Sequence, residues 1–318
     1  MASATTLLDV SPLADGLPFG ATISGLTHDH LGDPKLQAAL REVWIDRGVL
    51  LFRDGDQSRE MQLDLSKIFG PLEKHLFSET HAEGEAELTK IKFYPEDGSY
   101  YDIDGQLRGS YLPWHSDLMY THRINRGGIL RPVELPEEAG RTGYIDQIAA
   151  YERLPQALRE RIEGLHVVYH VDVDMSQQPF ANTGNIRLVR MAKSGYSIQT
   201  RKFTYPRVIH PMVYTQAETG RKVLNVSPAF ALGIYEMGGA DGDELLREVI
   251  ALCTEPQYAY MHEWRTGDMV LWDNWRVLHC FTGVPPHVTR VMERTTISGD
   301  YALGRPLGIS GPEATFDM

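Results

Sequence analysis

The sequence predicts a mainly β fold, a sandwich or jelly roll buttressed by helices, on three observations. Strand-like segments dominate after Gly164, helical periodicity is confined to the first half and to the connections between hairpins, and no alternation of strand and helix of the kind that builds a parallel sheet runs through the chain. No repeat, low-complexity tract or linker divides the 318 residues, so one domain spanning 1–318 is expected.

The elements follow in order. From Asp33 to Gly48 the chain reads as a helix: Asp33 caps it, Pro34 suits its first turn, Leu36, Leu40, Val43 and Trp44 form one face, and Gly48 stops it. Val49 to Phe52 is a short buried strand, and Met61, Leu65, Ile68 and Phe69 resume helical spacing before Gly70. Ile148 to Gly164 reads as two helices broken near Pro155. Val208–Tyr214 and Lys222–Val226 are strands flanking a turn at Thr219-Gly220, and Leu245–Leu252 is a helix. Tyr258, Tyr260, His262 and Trp264 alternate as on a half-buried strand, Gly267-Asp268 turns the chain, and Met269–Trp272 continues it. Asp102, Asp104 and Gly105 look like a fragment of a calcium loop, but the remaining ligands of that motif are missing, which leaves a turn.

Composition bounds the function. A formal charge of −12, from 31 basic and 43 acidic residues, argues against nucleic acid or an anionic membrane as partner, since both call for excess Lys and Arg. Two cysteines, Cys253 and Cys280, are too few for a disulfide framework and suit a reducing compartment. With no apolar run near the ~20 residues of a membrane span and no signal-like stretch in Met1–Ala14, the expected location is the cytoplasm.

Two distant stretches carry the chemistry: Trp114-His115-Ser116-Asp117, and Asp273-Asn274-Trp275-Arg276-Val277-Leu278-His279. His115, Asp117 and His279 together offer two imidazoles and a carboxylate on one face of a metal, with positions left open, a set suited to oxygen-using iron(II) chemistry. Arg290, eleven residues after His279 on an expected strand, could hold the carboxylate of a chelating cosubstrate. The spacing His-x-Asp has a physical reason, because residues two apart on a strand share a face. Spacing alone does not choose the site, however: His170-Val171-Asp172 satisfies the same geometry. Alternation from Arg290 to Ile297 puts Arg290, Met292, Arg294 and Thr296 on one face. The two arginines then stand about 13 Å apart along the strand, at ~3.3 Å per residue.

Over nearly its whole length the chain resembles the taurine/2,4-dichlorophenoxyacetate dioxygenases. The residues that carry the likeness are Phe19-Gly20-Ala21, Ile23-Ser24-Gly25-Leu26, Gly48-Val49-Leu50-Leu51-Phe52-Arg53, Phe69-Gly70-Pro71-Leu72 and Trp114-His115-Ser116-Asp117. Gly140-Arg141-Thr142, Ala149-Ala150-Tyr151, His210-Pro211, Glu218-Thr219-Gly220-Arg221, Gly267-Asp268, Asp273-Asn274 with His279, and Arg290 with Arg294 continue it in the same order. The resemblance implies a double-stranded β-helix (jelly roll, cupin-like) and an oxygenase that uses Fe(II), 2-oxoglutarate and O2. It implies His115, Asp117 and His279 as iron ligands, with Arg290 and Thr142 on the distal carboxylate of 2-oxoglutarate. His170-Val171-Asp172 falls where the family has no ligand. Asp117 sits where related halogenases lack a carboxylate, which points to oxygenation.

By the same resemblance Arg294 anchors an acidic substrate, a small carboxylate or sulfonate, and His75 stands where family members carry a substrate-contacting His. The aromatic stretch around Lys92-Phe93-Tyr94 and Ser99-Tyr100-Tyr101 suits either a lid, with Tyr94 toward substrate, or simple packing. Residues 173–207, with Arg187, Arg190, Lys193, Arg201 and Lys202, suit a second lid or a solvated or subunit-contact loop. Family members are often dimers or tetramers, so a homo-oligomer is expected. Two other outcomes stay open at this stage: the same site used for desaturation or another oxidative rearrangement, and a non-catalytic metal-binding jelly roll.

Overall fold

The structure, a computed structural model, describes residues 8–74, 81–82, 85–181, 184–202 and 205–308. Two sheets face each other to make the roll. The larger orders the strands Asp9–Pro12, Ala21–Ser24, Val49–Arg53, Met269–Asp273, Gly127–Glu134, Arg290–Thr295, Glu85–Phe93 and His81–Ala82. Neighbours are antiparallel except Ala21–Ser24, which runs parallel to Val49–Arg53. The smaller sheet orders Tyr260–Glu263, Arg141–Asp146, Val277–Phe281 and Leu112–His115, with His279 opposite Tyr144 on one side and His115 on the other. The mainly β jelly-roll expectation is met.

Strand alternation explains why the central strands are apolar on both faces. Val49, Leu51, Val270 and Trp272 pack into the roll with Leu130, Tyr144 and Met292. Their neighbours Leu50, Phe52, Met269 and Leu271 pack outward against Leu36, Leu40 and Trp44 of one helix and Met61, Leu65 and Phe69 of another. Each such buried side chain stabilises the fold by about 1.5–3 kcal/mol. The two helices, Pro34–Arg47 and Arg59–Phe69, begin where capping chemistry says they should. The Asp33 carboxylate accepts from Lys35 N at 2.8 Å, and Ser58 Oγ accepts from Met61 N at 3.0 Å.

Gly48 closes the first helix with φ 75°, and a Cβ there would stand 3.0 Å from Arg276 Nε. That closeness has a purpose. Arg276, 1% exposed, donates from Nη1 to the Ile45 and Asp46 carbonyls at the helix end and from Nε and Nη2 to both Asp146 oxygens at 2.9 and 2.8 Å. One buried guanidinium therefore ties the first helix to the small sheet, three residues before His279.

The outer face of the small sheet, including Ile145 and Leu278, is covered by a third layer. It contains the helices Gln147–Arg153, Gln156–Ile162 and Ala240–Cys253 and a sheet of Ala231–Ile234, His166–Tyr169, Val208–Pro211 and Arg305–Pro306. The helix pair broken at Pro155 is as expected. The single strand read from Val208 to Tyr214 is not: it divides at Met212, whose N–H goes to the Leu165 carbonyl. The second half, Val213–Thr215, forms a hairpin with Lys222–Leu224. Pro211, which has no N–H to give a ladder, stands just before the break.

Asp104 (φ 50°) and Gly105 (φ 85°) form the tight turn of the Tyr100–Ile103/Gln106–Gly109 hairpin. Ile186–Arg190, from the 173–207 segment, adds to that hairpin as a third strand. Cys253 and Cys280 are both buried and free. Among the described residues no helix is long and apolar enough to cross a membrane.

Candidate active site

His115, Asp117 and His279 bring ligand atoms within 4.8 Å of one another. Asp117 Oδ1 stands 3.6 Å from Nε2 of each histidine, and the two rings lie 4.0 Å apart. His115 Nδ1 donates to the Pro113 carbonyl at 2.9 Å, which fixes its tautomer and leaves the Nε2 lone pair facing the cluster. Burial, with His115 alongside, brings the His279 imidazole down to about 4, so it is a neutral donor at ordinary pH. Burial alone would raise the Asp117 carboxyl; Arg294, with the two histidines, outweighs it and holds that group well below the usual carboxylate range. A neutral His279 and an ionised Asp117, with His115 Nε2 facing them, suit a divalent metal.

The strand that was expected to carry both His115 and Asp117 ends at His115. Asp117 lies beyond it, followed by Leu118 at φ 59°, so a turn rather than strand alternation aims the carboxylate. Asn274 holds that turn. Its Oδ1 accepts from Asp117 N at 2.7 Å, and its Nδ2 donates to the Asp117 carbonyl at 3.1 Å and to the Asn125 carbonyl at 3.1 Å. Asn274 is fully buried and stands on the loop that leads into the His279 strand, so one amide locks the two halves of the site in register. Asn274 lies in the Asp273–His279 stretch, but no local pattern in the sequence signals this task.

A cavity of about 110 Å³ opens beside the three ligands, lined also by Ile91, Leu112, Leu130, Thr142, Trp272, Phe281, Arg290 and Arg294. Arg290 is 4% exposed, and its Nε and Nη2 have no acceptor among the described residues. Its guanidinium stacks on Phe281 at 4.2 Å, and burial lowers it to about 9. A buried cation with idle N–H groups beside a hydroxyl is complementary to a carboxylate. Thr142, the hydroxyl in question, accepts a bond from Trp264 Nε1 at 2.8 Å. The cavity thus fits both parts of the expected pair: a divalent ion at the trio and a dicarboxylate reaching Arg290.

Arg294 shares the cavity, as the alternation predicted, but it is already engaged. Nη1 donates to Asp117 Oδ2 at 2.7 Å and Nη2 to Thr296 Oγ1 at 3.3 Å, which leaves Nε without an acceptor among the described residues. Glu73, half-buried, also feels its charge. His75 lies outside the described residues. Tyr94 is half-buried past the end of its strand with Lys92 Nζ 5.6 Å from its ring, and it is not among the residues that line the cavity. His170-Val171-Asp172 forms no three-ligand cluster among the described residues. There His170 Nε2 meets the Tyr205 carbonyl, and Asp172 takes Lys202 Nζ at 2.6 Å and Gln199 Nε2 at 2.8 Å.

Arg187 and Arg190 of 173–207 are used in the same structural way. Arg187 pairs with Asp102, and Arg190 caps the Pro95 and Gly98 carbonyls while covering the Tyr100 ring at 4.3 Å. Tyr100–Ile103 of the aromatic stretch and Ile186–Arg190 of this segment therefore join Gln106–Gly109 in one three-stranded sheet, and Ser110, just past it, lines the cavity, whereas Phe93 ends a strand of the large sheet.

A model of the family described as "Taurine catabolism dioxygenase TauD, TfdA family" matches residues 9–296. The (S)-phenoxypropionate/alpha-ketoglutarate-dioxygenase of Sphingobium herbicidovorans is 30% identical over 300 residues, which is 92% of this chain and 96% of that protein. The alpha-ketoglutarate-dependent 2,4-dichlorophenoxyacetate dioxygenase of Cupriavidus pinatubonensis is 30% identical over 80% of this chain and 86% of its own. A crystal structure of a taurine dioxygenase from Burkholderia xenovorans has the same fold, with a TM-score of 0.70 at 23% identity over 96% of this chain and 97% of that one.

Proposed function

The chain belongs to the TauD/TfdA family of Fe(II)- and 2-oxoglutarate-dependent dioxygenases, and from that premise we propose that it hydroxylates a small carboxylate- or sulfonate-bearing molecule, releasing succinate and carbon dioxide. The observation that carries the proposal is the meeting, in one cavity, of the His115-Asp117-His279 cluster with two buried arginines that, among the described residues, retain unused N–H groups. In this reading the three residues hold Fe(II), Arg290 and Thr142 hold the distal carboxylate of 2-oxoglutarate, and residues 1–318 act as one catalytic domain. When bound, iron and cosubstrate supply the oxidising power drawn from O2 that no side chain possesses.

The protein's own contribution is placement and dryness. Phe281 and Arg290 stack to fix the far end of the cavity, and Trp272 shields His279 at a ring distance of 5.0 Å. Arg294 steadies the second oxygen of Asp117 so that the first is free for metal. The Arg294 Nε–H left over is the group we assign to the acid end of the substrate, in competition with Glu73 for the same charge. Ile91, Leu112 and Leu130 offer an apolar wall to its body.

The relatives named for phenoxypropionate and 2,4-dichlorophenoxyacetate favour aryloxyalkanoic acids as the first class to test. Hydroxylation of a carbon that bears an ether oxygen gives a hemiacetal or hemiketal, which collapses to a phenol and a carbonyl compound. The deciding experiment is a panel of aryloxyalkanoates, sulfonates, N-substituted amino acids and neutral analogues with Fe(II), 2-oxoglutarate and O2, scored by succinate and product mass. Turnover of a neutral analogue matching that of its acid would sink the anionic-substrate reading.

A further inference from the structure

Trp264 forms the wall between the cavity and a larger recess of about 500 Å³ on the outer surface, lined by Arg108, Glu137, Arg141 and Glu263 among others. Its indole is 8% exposed and stands edge-on to His262, with ring centroids 4.6 Å apart at 88°. His262 is itself fixed, with Nδ1 3.0 Å from the Tyr260 hydroxyl and Nε2 3.1 Å from Asp268. Asp268 in turn is gripped by Arg53 through Nε and Nη2. The indole N–H thus points at Thr142 from a rigid support.

An indole N–H only donates. The 2.8 Å bond from Trp264 Nε1 therefore makes Thr142 Oγ1 an acceptor on that side. The hydroxyl's own proton has no protein acceptor among the described residues, and the Thr142 backbone lies between two strands, opposite His262 and Phe281. A free hydroxyl rotates between offering a proton and offering a lone pair, and a lone pair facing a carboxylate is repulsive. Resting on the reading that Arg290 and Thr142 hold the distal carboxylate of 2-oxoglutarate, we propose that Trp264 is a positioning residue that sets the polarity of Thr142. With its acceptor side occupied, Thr142 presents its proton to the cavity, and the carboxylate meets donors alone.

The test is a double-mutant cycle on 2-oxoglutarate affinity, read anaerobically in the Fe(II)-loaded protein from its visible charge-transfer band. Trp264→Phe and Thr142→Val should each weaken 2-oxoglutarate binding about tenfold, as expected for losing one hydrogen bond to a charged group. The double variant should be no weaker than Thr142→Val, with Fe(II) affinity unchanged in all three. If Trp264→Phe costs as much in the Thr142→Val background as in the wild type, Trp264 acts by packing and the proposal is overturned. It is equally overturned if Thr142→Val weakens binding and Trp264→Phe does not. Unchanged affinity in both Thr142→Val and Arg290→Met would instead refute the underlying clamp. Should Trp264→Phe fail to fold, 3-benzothienylalanine at position 264 keeps the bicyclic shape, lacks the N–H, and carries the same two outcomes.

Discussion

Replacing Arg290 by Met is expected to make the cosubstrate-free protein more stable while destroying its ability to bind 2-oxoglutarate. Arg290 is 4% exposed with two nitrogens lacking any acceptor among the described residues, and burial brings the guanidinium down to about 9. At about 1.4 kcal/mol per pH unit, carrying that charge costs the folded state up to about 5 kcal/mol. Stacking on Phe281 at 4.2 Å returns about 2 kcal/mol of it, so Met, similar in length and apolar, should gain about 2–3 kcal/mol in urea denaturation without 2-oxoglutarate. Loss of the charge should weaken 2-oxoglutarate binding by about 2–5 kcal/mol, or some 30- to 5,000-fold.

The pH dependence follows from the sign of the shift. Because burial lowers folded Arg290 to about 9, below its unfolded value, the wild-type penalty is fully present below about 9 and fades as the pH rises above it. The gap between variant and wild type should be flat from pH 6 to 8 and narrow at higher pH. A variant less stable than wild type, or one that binds 2-oxoglutarate within twofold of it, would refute the view of Arg290 as a cation waiting for an anion.

Asp117→Ala should abolish the charge-transfer band formed with Fe(II) and 2-oxoglutarate, whereas His170→Ala should leave it intact; the reverse pattern would reassign the ligands. Asn274→Ala strands the buried N–H and C=O of Asp117, so a stability loss of about 2–4 kcal/mol is expected in urea, together with at least about tenfold weaker Fe(II) binding. His210 is buried, 2.8 Å from both the Tyr301 hydroxyl and the Thr121 carbonyl, and burial lowers it to about 4 from 6.5. Its neutral form stabilises the fold above pH 6.5, and that contribution, about 3 kcal/mol, should drain away as pH falls through 4. Denaturation midpoints between pH 7 and 4 should fall less steeply in His210→Gln if this group is responsible.

Periodicity located the helices ending at Gly48 and Phe69 and the buried strands Val49–Arg53 and Met269–Asp273, because capping residues and apolar faces are local signals. It misjudged Val208–Tyr214 as one strand: the second half keeps the local hairpin with Lys222–Leu224 that the sequence showed, while the first half, Val208–Pro211, is taken by the distant strand His166–Tyr169. For the site, the local pattern put His115-x-Asp117 and His170-Val171-Asp172 on equal terms. What separates them is a third donor, His279, 162 residues beyond Asp117 in the chain and 3.6 Å away in space. The spacing also gave a partly mistaken reason for the pair, since the strand stops at His115 and a turn held by Asn274 aims Asp117.

The sequence by itself determined the donor types, their order and the family to which they belong, since chemistry of that kind is written in residue identity. Tertiary structure decided which groups are spent and which remain free. Arg290 and Arg294 look alike on one strand face, yet one keeps idle N–H groups against Phe281 while the other is mostly taken up by Asp117 and Thr296. Arg187, Arg190 and Lys202 of residues 173–207, legible only as positive charge, are consumed by Asp102, loop carbonyls and Asp172. A side chain's availability depends on what folding places opposite it, and for Arg294 that is chiefly Asp117, 177 residues away in the chain.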